Sequence, residues 1–428
     1  VKFEYGLDQR PPLFKSFLFG VQWAAIAISL IIILGKVVGS VHFSDSASQV
    51  VYLQKMFLIT AVALFLQVVL GHRLPLICGP AAVLLIGVIS SQSFDISAVY
   101  SSVMAGGFII SILGATGLFG YLKKLFTTRV IAVVLLLIAF TLSPTILKLM
   151  INPTSGIPPI LNLTFAVALV FAMFMLHRYL SGIWKSTLII WSLISGSLFY
   201  FIFFPTSNTD KLFLQTHWIS GFFSGFTMKL SFEPGVLISF LFCYLALSIN
   251  DLGSIQSMGV LLTPPHMNRR ITRGLTLTGL ANVAAGFFGT IGPVNFSLSP
   301  GVITSTGCAS RYCLYPAAAI IGILAFFPAI IGIVGSVPSV VIGCVLIYIL
   351  TSQIAAGLIV TFQGVDEKGF QFDSGLIIGL PVLFGTVVAF LPVAVLDGFP
   401  AVLRPICGNG FVVGVVFALA LEHVIFRQ

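Results

Sequence analysis

The chain reads as apolar runs separated by short polar breaks. Fourteen runs can be placed, near 13–38, 50–70, 74–91, 98–119, 127–148, 160–177, 186–204, 235–262, 272–291, 294–309, 312–334, 337–360, 374–391 and 402–425. Many approach or exceed the length at which an apolar helix crosses the hydrocarbon of a bilayer. The third and tenth are short for a full span. A polar stretch near 205–234 divides seven runs from seven. The pattern predicts an all-α polytopic membrane protein with 14 transmembrane segments, a first unit over 1–204 and a second over 235–428. Because seven is odd, related halves must be inserted in opposite senses, as two inverted repeats. A weak echo supports this: "GPAAVLLIG" at 79–87 resembles "SPGVITSTG" at 299–307, which pairs the two short segments with each other. Interrupted segments at matching places in two halves are a sequence pointer to a transporter site.

Both short segments place a proline inside an apolar run, in "LPLICGPAAVLLIGV" (74–88) and "VNFSLSPGVITSTG" (294–307). Pro80 and Pro300 suit a first helical position, where no N–H is needed, and bias Gly79 and Ser299 toward extended backbone. Each segment is therefore expected to be part strand and part helix, broken near mid-membrane. Backbone broken at that depth must find partners in protein, water or solute, because lipid offers none. Two helix N-termini facing one cavity would present N–H groups to a carbonyl-rich or anionic solute. The competing reading is a pair of proline-kinked packing helices.

Composition sharpens the class. Of 428 residues, 58% are hydrophobic and 8% charged, too little charge to cover a soluble protein of this size. The run from Leu13 is too long for a cleaved signal and reads as a retained first helix. The net charge of +9 would suit a polyanion partner, but its placement does not. With the N-terminus inside, fifteen of the 21 Lys and Arg, among them Arg73, Lys123, Lys124, Arg269, Arg270, Arg273 and Arg311, fall on the inner side. Lys36, Lys55, Lys148, Lys211, Lys229 and Arg404 fall outside. That bias is topology, with both termini cytoplasmic, and not a nucleic-acid stripe. The six cysteines form no CxxC pair, so no metal site or disulfide framework is expected, and no cofactor.

Polar side chains inside the spans are the remaining candidates. The eighth segment carries "LALSINDLGSIQSMG" (245–259), in which Asn250, Ser254 and Ser257 share a helical face. Asp251 is the acid deepest in any span. A carboxylate there is costly and by default functional, so it is a candidate to carry a coupling proton; a structural Asp held by Ser or backbone donors is the alternative. Ser297, Ser299, Thr304, Ser305 and Thr306 add hydroxyls to the second proline corner, Ser297 and Ser299 at the break itself. Gln22 in the first span suits helix–helix contact on spacing alone. The six histidines fall near segment ends, which argues against a histidine proton relay. No nucleophile–base pair or metal cluster suggests an enzyme.

At this point the chain resembles the nucleobase–ascorbate transporter family, the xanthine/uracil permeases, over essentially its whole length. "YGLDQRPPLFKSFLFGVQ" (5–22) is similar to the family's Tyr…Pro-Pro run into a first helix bearing Gln. "GLANVAAGFFGTIG" (279–292) resembles the stretch before the family signature, and "SVPSVVIG" (336–343) the entry to the twelfth helix. The signature window is "LSPGVITSTG", where Gly301, Thr306 and Gly307 match while Leu298 and Ser299 depart. In the eighth helix Asn250 and Ser254 stand at positions usually acidic or His; Ala82 stands where an aromatic is frequent.

The resemblance implies a core of segments 1–4 and 8–11 (about 13–119 and 235–334) and a gate of segments 5–7 and 12–14 (about 127–204 and 337–425). Short strands in segments 3 and 10 would meet at the substrate, with contacts from Gln22, Gly79, Ala81, Ala82, Asn250, Ser254, Ser297, Leu298, Ser299 and Gly301. It further implies a homodimer in a bacterial plasma membrane. The expected function is a secondary transporter of a uracil-, xanthine- or urate-like heterocycle by alternating access, with H+ as candidate coupling ion. The two carboxylates that typically grip a base edge are replaced here by Asn250 and Leu298. That substitution keeps a second expectation open, a transporter or channel for small anions using the helix N-termini.

Overall fold

The structure is a computed structural model that describes residues 3–118, 127–151, 156–181, 184–185, 187–205, 218–219, 226–227, 229–363, 372–396, 398–400 and 402–426. Lys2, Lys123, Lys124, Lys211, His217, Lys368, Arg427 and the Ser305 side chain lie outside that description. The protein is mainly helical. Eight stretches among the described residues are long and apolar enough to cross a membrane: α1 (Leu13–His42), α2 (Ser46–Val69), α4 (Ile96–Thr116), α5 with α6 (Thr128–Thr141 and Ser143–Ile151), α7 (Pro159–Tyr179), α9 (Pro234–Leu262), α14 (Ser339–Gln363) and α15 (Phe372–Ala389). Shorter helices are α3 (Ala82–Ser90), α8 (Leu188–Phe203), α11 (Ser299–Thr306), α12 (Leu314–Leu324), α13 (Pro328–Gly335), α16 (Val393–Leu396), α17 (Arg404–Cys407) and α18 (Gly410–Ala420). Between α9 and α11 runs α10 (Met267–Phe288), whose first turns carry Arg269, Arg270 and Arg273.

Local chemistry sets the ends of these elements. Pro12 stands just ahead of α1, and Asp45 caps α2 by accepting from the Ser48 N–H at 2.7 Å. Gly289 and Gly307 close α10 and α11 at φ of 70°, a region where a side chain would be strained. Two apolar runs expected to be continuous are broken. The run at 127–148 splits at Leu142 and the run at 312–334 between Leu324 and Pro328. Pro144 and Pro328 lack the N–H that helix continuation requires.

The strands expected in segments 3 and 10 are present. β1 (Cys78–Pro80) pairs antiparallel with β2 (Pro293–Asn295), with Cys78 opposite Asn295, Gly79 opposite Val294 and Pro80 opposite Pro293. The proline expectation needs correction. Pro80 ends β1, and α3 starts two residues later, whereas Pro300 lies inside the first turn of α11. Aligned on the helix starts, Ala82 corresponds to Ser299, so the sequence echo between 79–87 and 299–307 runs three residues out of structural register.

Helices gather in two sets. In one, α1 and α2 pack on α12, α4 packs on α9 and α10, and α3 on α9. In the other, α14 packs on α5, α6, α7 and α8, while α15 packs on α18 and α5. Glycines bring α4 and α10 into backbone contact: a Cβ on Gly279 would sit 2.4 Å from the Ser111 nitrogen. Polar links among the described residues join the sets. The Lys36 amino group on α1 donates to the Val337 carbonyl ahead of α14. Asn409, buried at the start of α18, accepts from the Phe411 and Val412 N–H groups at 3.1 and 3.3 Å and donates to Ser239 Oγ at 2.9 Å and Ser90 Oγ at 3.2 Å. Asn409→Ala is expected to cost about 2 kcal/mol, and Asn409→Asp, which keeps the cap but loses the donors, about half that. Thermal unfolding in detergent measures both, and equal melting of all three proteins would refute the link.

Candidate functional site

The two strands meet in the protein interior, and most of their polar groups are engaged there. The Ala81 N–H donates to the Gly292 carbonyl at 3.0 Å and the Phe296 N–H to the Ile77 carbonyl at 2.9 Å. Ser299, expected to face solute, is instead fully buried. Its hydroxyl accepts from the Ile77 N–H at 3.1 Å and donates to the Phe296 carbonyl at 2.9 Å, fastening the start of α11 to the entry of β1.

Asn295, which the sequence reading passed over, is the hub behind this junction. Its amide nitrogen donates to Asp251 Oδ1 at 2.7 Å, and its backbone N–H to the same oxygen at 3.1 Å. Its Oδ1 accepts from Cys78 Sγ at 2.8 Å and lies 3.2 Å from His72 Nε2. His72 Nδ1 accepts from the Leu74 N–H at 2.9 Å, so the ring proton sits on Nε2 and points at Asn295. The Asn295 carbonyl accepts from Ser254 Oγ at 2.9 Å. His72, Ser254, Asp251 and Asn295 are all fully buried. Among the described residues Asp251 Oδ2 makes no hydrogen bond.

On the other side of the strands lies a cavity of about 70 Å³, lined by residues of both helix sets. From the first set come Ala81, Ala82, Asn250, Phe296, Ser297 and Leu298, with Leu30 and Leu34 of α1. From the second come Ile138 of α5 and Leu346, Ile349, Ser352 and Gln353 of α14. Its polar lining consists of amides and hydroxyls, with no Asp, Glu, Lys, Arg or His among the lining residues. Ala82 and Val83, at the start of α3, line the same space, and their N–H groups have no partner inside their helix.

Five of the sequence candidates, Ala81, Ala82, Asn250, Ser297 and Leu298, thus surround one cavity. The others stand elsewhere. Gly79 is covered by the Phe296 ring, which would lie 2.4 Å from an added Cβ. Ser254, Asp251 and Ser299 belong to the buried junction. Gly301 is exposed on α11, its N–H donating to the Leu298 carbonyl at 3.1 Å. Gln22 lines a separate groove with Trp184 and Trp191. Ser254 and Asn250 share a helical face as expected, yet Ser254 Oγ turns to the Asn250 and Asn295 carbonyls. Gln353 and Ser352 escaped the sequence reading although Gln353, a lone amide in an apolar span, carries the same signal as Gln22.

Comparison with known proteins adds the following. Residues 14–394 match the Xan_ur_permease model, described as a permease family. A xanthine permease of Bacillus subtilis is 24% identical over 428 residues, covering 96% of this chain and 93% of its own length. The nucleobase transporter PlUacP of Paenibacillus larvae is 24% identical over 422 residues, covering 96% and 94%. Among solved structures, the transmembrane domain of the cyanobacterial bicarbonate transporter BicA superposes with a TM-score of 0.65 at 18% identity, covering 90% of this chain and 98% of that one. At that identity the likeness concerns the fold alone.

Proposed function

The chain belongs to the Xan_ur_permease family of permeases, integral membrane transporters rather than enzymes, and from that premise we propose that it carries a nucleobase or related small heterocycle across the membrane by alternating access. The observation that carries this reading is the cavity at the strand junction, where the amide of Asn250 and the hydroxyl of Ser297 meet apolar walls from both helix sets. An amide offers a donor and an acceptor to a base edge, and flat apolar walls suit its faces.

On this reading the chain comprises fourteen segments in two inverted repeats. A core over about 13–119 and 235–334 rocks against a gate over about 127–204 and 337–425. Both termini face the cytoplasm of a bacterial plasma membrane, and the transporter works as a homodimer. The contact of α14 with the cavity supports the division, since a solute held there touches both bodies at once. Uptake into proteoliposomes of radiolabelled uracil, xanthine, urate and sulfate, with and without a pH gradient, tests it. Accumulation of a base supports the reading. Transport of sulfate alone would favour the second reading, a small-anion carrier using the N–H groups at the start of α3.

H+ is the proposed coupling ion, with Asp251 as its carrier. Fully buried, with one oxygen unpartnered, Asp251 would bear a charge that its surroundings only half satisfy. Asp251→Asn is expected to abolish accumulation driven by a pH gradient while sparing exchange of labelled for unlabelled solute. Unchanged accumulation would reject the role.

A further inference from the structure

Three polar side chains around the cavity are unengaged among the described residues. The amides of Asn250 and Gln353 and the hydroxyl of Ser297 make no side-chain hydrogen bond there, although all three line one small space. Elsewhere in the interior the amides are put to use. Gln67 donates to the Gly274 carbonyl and Thr278, Asn282 to the Thr278 and Pro293 carbonyls, and Asn409 to two serines. Asn250 and Gln353 are half-buried and Ser297 is exposed, so all three polar groups remain open to whatever occupies the space.

Their placement matters as much as their number. Asn250 comes from α9 and Ser297 from the turn between β2 and α11. Gln353 comes from α14, in the opposite set of helices. The two amides therefore belong to two bodies that, on the reading above, move against each other. A solute held by Asn250 alone would touch one body; a solute held by both amides would tie the bodies together.

The chemistry of the lining also limits the solute. Among the described residues no side chain carrying a formal charge contributes to it, and Asp251 faces Asn295 on the far side of β2. Part of the positive potential at the two helix starts is already answered: the Ala81 N–H is engaged by the Gly292 carbonyl, and the Ser299 N–H by the Phe296 carbonyl at 3.3 Å. An anion entering this space would lose its water without meeting a counter-charge. An uncharged ring with neighbouring N–H and C=O groups would lose little, since each amide can both donate and accept.

We infer that Gln353 is the second body's recognition residue, and that with Asn250 it selects an uncharged heterocycle bearing paired N–H and C=O groups over an anionic one. This rests on the nucleobase reading and narrows it. The test is equilibrium binding to the purified protein at neutral pH, using uracil and hypoxanthine as uncharged probes and urate as an anionic one. Uracil and hypoxanthine are expected to bind and urate to bind at least roughly tenfold more weakly. Gln353→Leu should weaken the uncharged probes by roughly tenfold with no fall in melting temperature, because the side chain holds nothing else in place. Gln353→Asn, which keeps the amide on a shorter stem, should recover part of the loss. Urate binding as tightly as hypoxanthine, or base binding indifferent to Gln353→Leu in a protein that melts normally, would overturn the inference and leave the nucleobase reading standing. Failure of every base to bind would overturn both.

Discussion

Asn295→Ala is expected to destabilise the folded protein by about 3 kcal/mol and to end transport. The amide joins three buried groups at once. Removing it takes the 2.7 Å bond from Asp251 Oδ1, whose neighbour Oδ2 already lacks a partner, and strands the His72 Nε2 proton. A fully buried carboxyl group that loses its shortest hydrogen bond is a costly defect. The strand register depends on the same bonds, because Cys78, directly opposite Asn295, also leans on its side chain. Thermal unfolding of the purified protein reads the first effect, and uptake the second. The double variant Asn295→Ala/Asp251→Asn should cost less than the two single changes added, with a coupling of about 0.5–3 kcal/mol. Strict additivity would mean that the two side chains do not act as a pair.

The second large effect is expected at Gly292. An added Cβ would lie 1.7 Å from Asn282 Oδ1 and 2.2 Å from its Cγ. Asn282 cannot yield. Its nitrogen donates to the Thr278 and Pro293 carbonyls at 2.7 and 2.8 Å, and its oxygen accepts from Tyr244 Oη at 2.9 Å, all in the buried interior. Gly292→Ala must therefore either break that set or push β2 away from β1, at a cost of about 3 kcal/mol or more. Gly79→Ala offers the contrast. Its obstacle is the edge of the Phe296 ring at 2.4 Å, a half-buried side chain at the cavity wall with room to turn. Gly79→Ala should thus cost less than Gly292→Ala, and Phe296→Leu should relieve it while doing nothing for Gly292→Ala. Comparable melting of the two alanine variants, or relief of both by Phe296→Leu, would refute the packing described for the junction.

Much of this could be read along the chain. Apolar runs separated by polar breaks foretold a helical membrane protein. The proline of the first short run foretold extended backbone at Gly79, which lies in β1; Ser299, expected to be extended ahead of Pro300, instead begins α11, and β2 lies upstream of it at Pro293–Asn295. Asn250, Ser297, Leu298, Ala81 and Ala82, which the family resemblance puts at the substrate, line one cavity. The placements that the sequence did not reveal have a common cause. Ser299 and Ser254 look like solute contacts because a hydroxyl in an apolar run has no visible partner in sequence; in space the Ile77 N–H and the Asn295 carbonyl are there to meet them. Asn295 was overlooked because its importance lies in His72, Cys78 and Asp251, between 44 and 223 positions away.

By itself, then, the order of residues determined the class of protein, the number of apolar runs and the two places where helix must give way. Those are consequences of hydropathy and of a ring that removes an N–H, and both act locally. Which polar groups satisfy one another and which remain for a solute was decided only by the tertiary structure. Burial makes every donor seek an acceptor, and the pairing of β1 with β2 chooses which acceptors are within reach. Asn250 and Gln353, about a hundred residues apart, face one cavity only because the two sets of helices close around those strands.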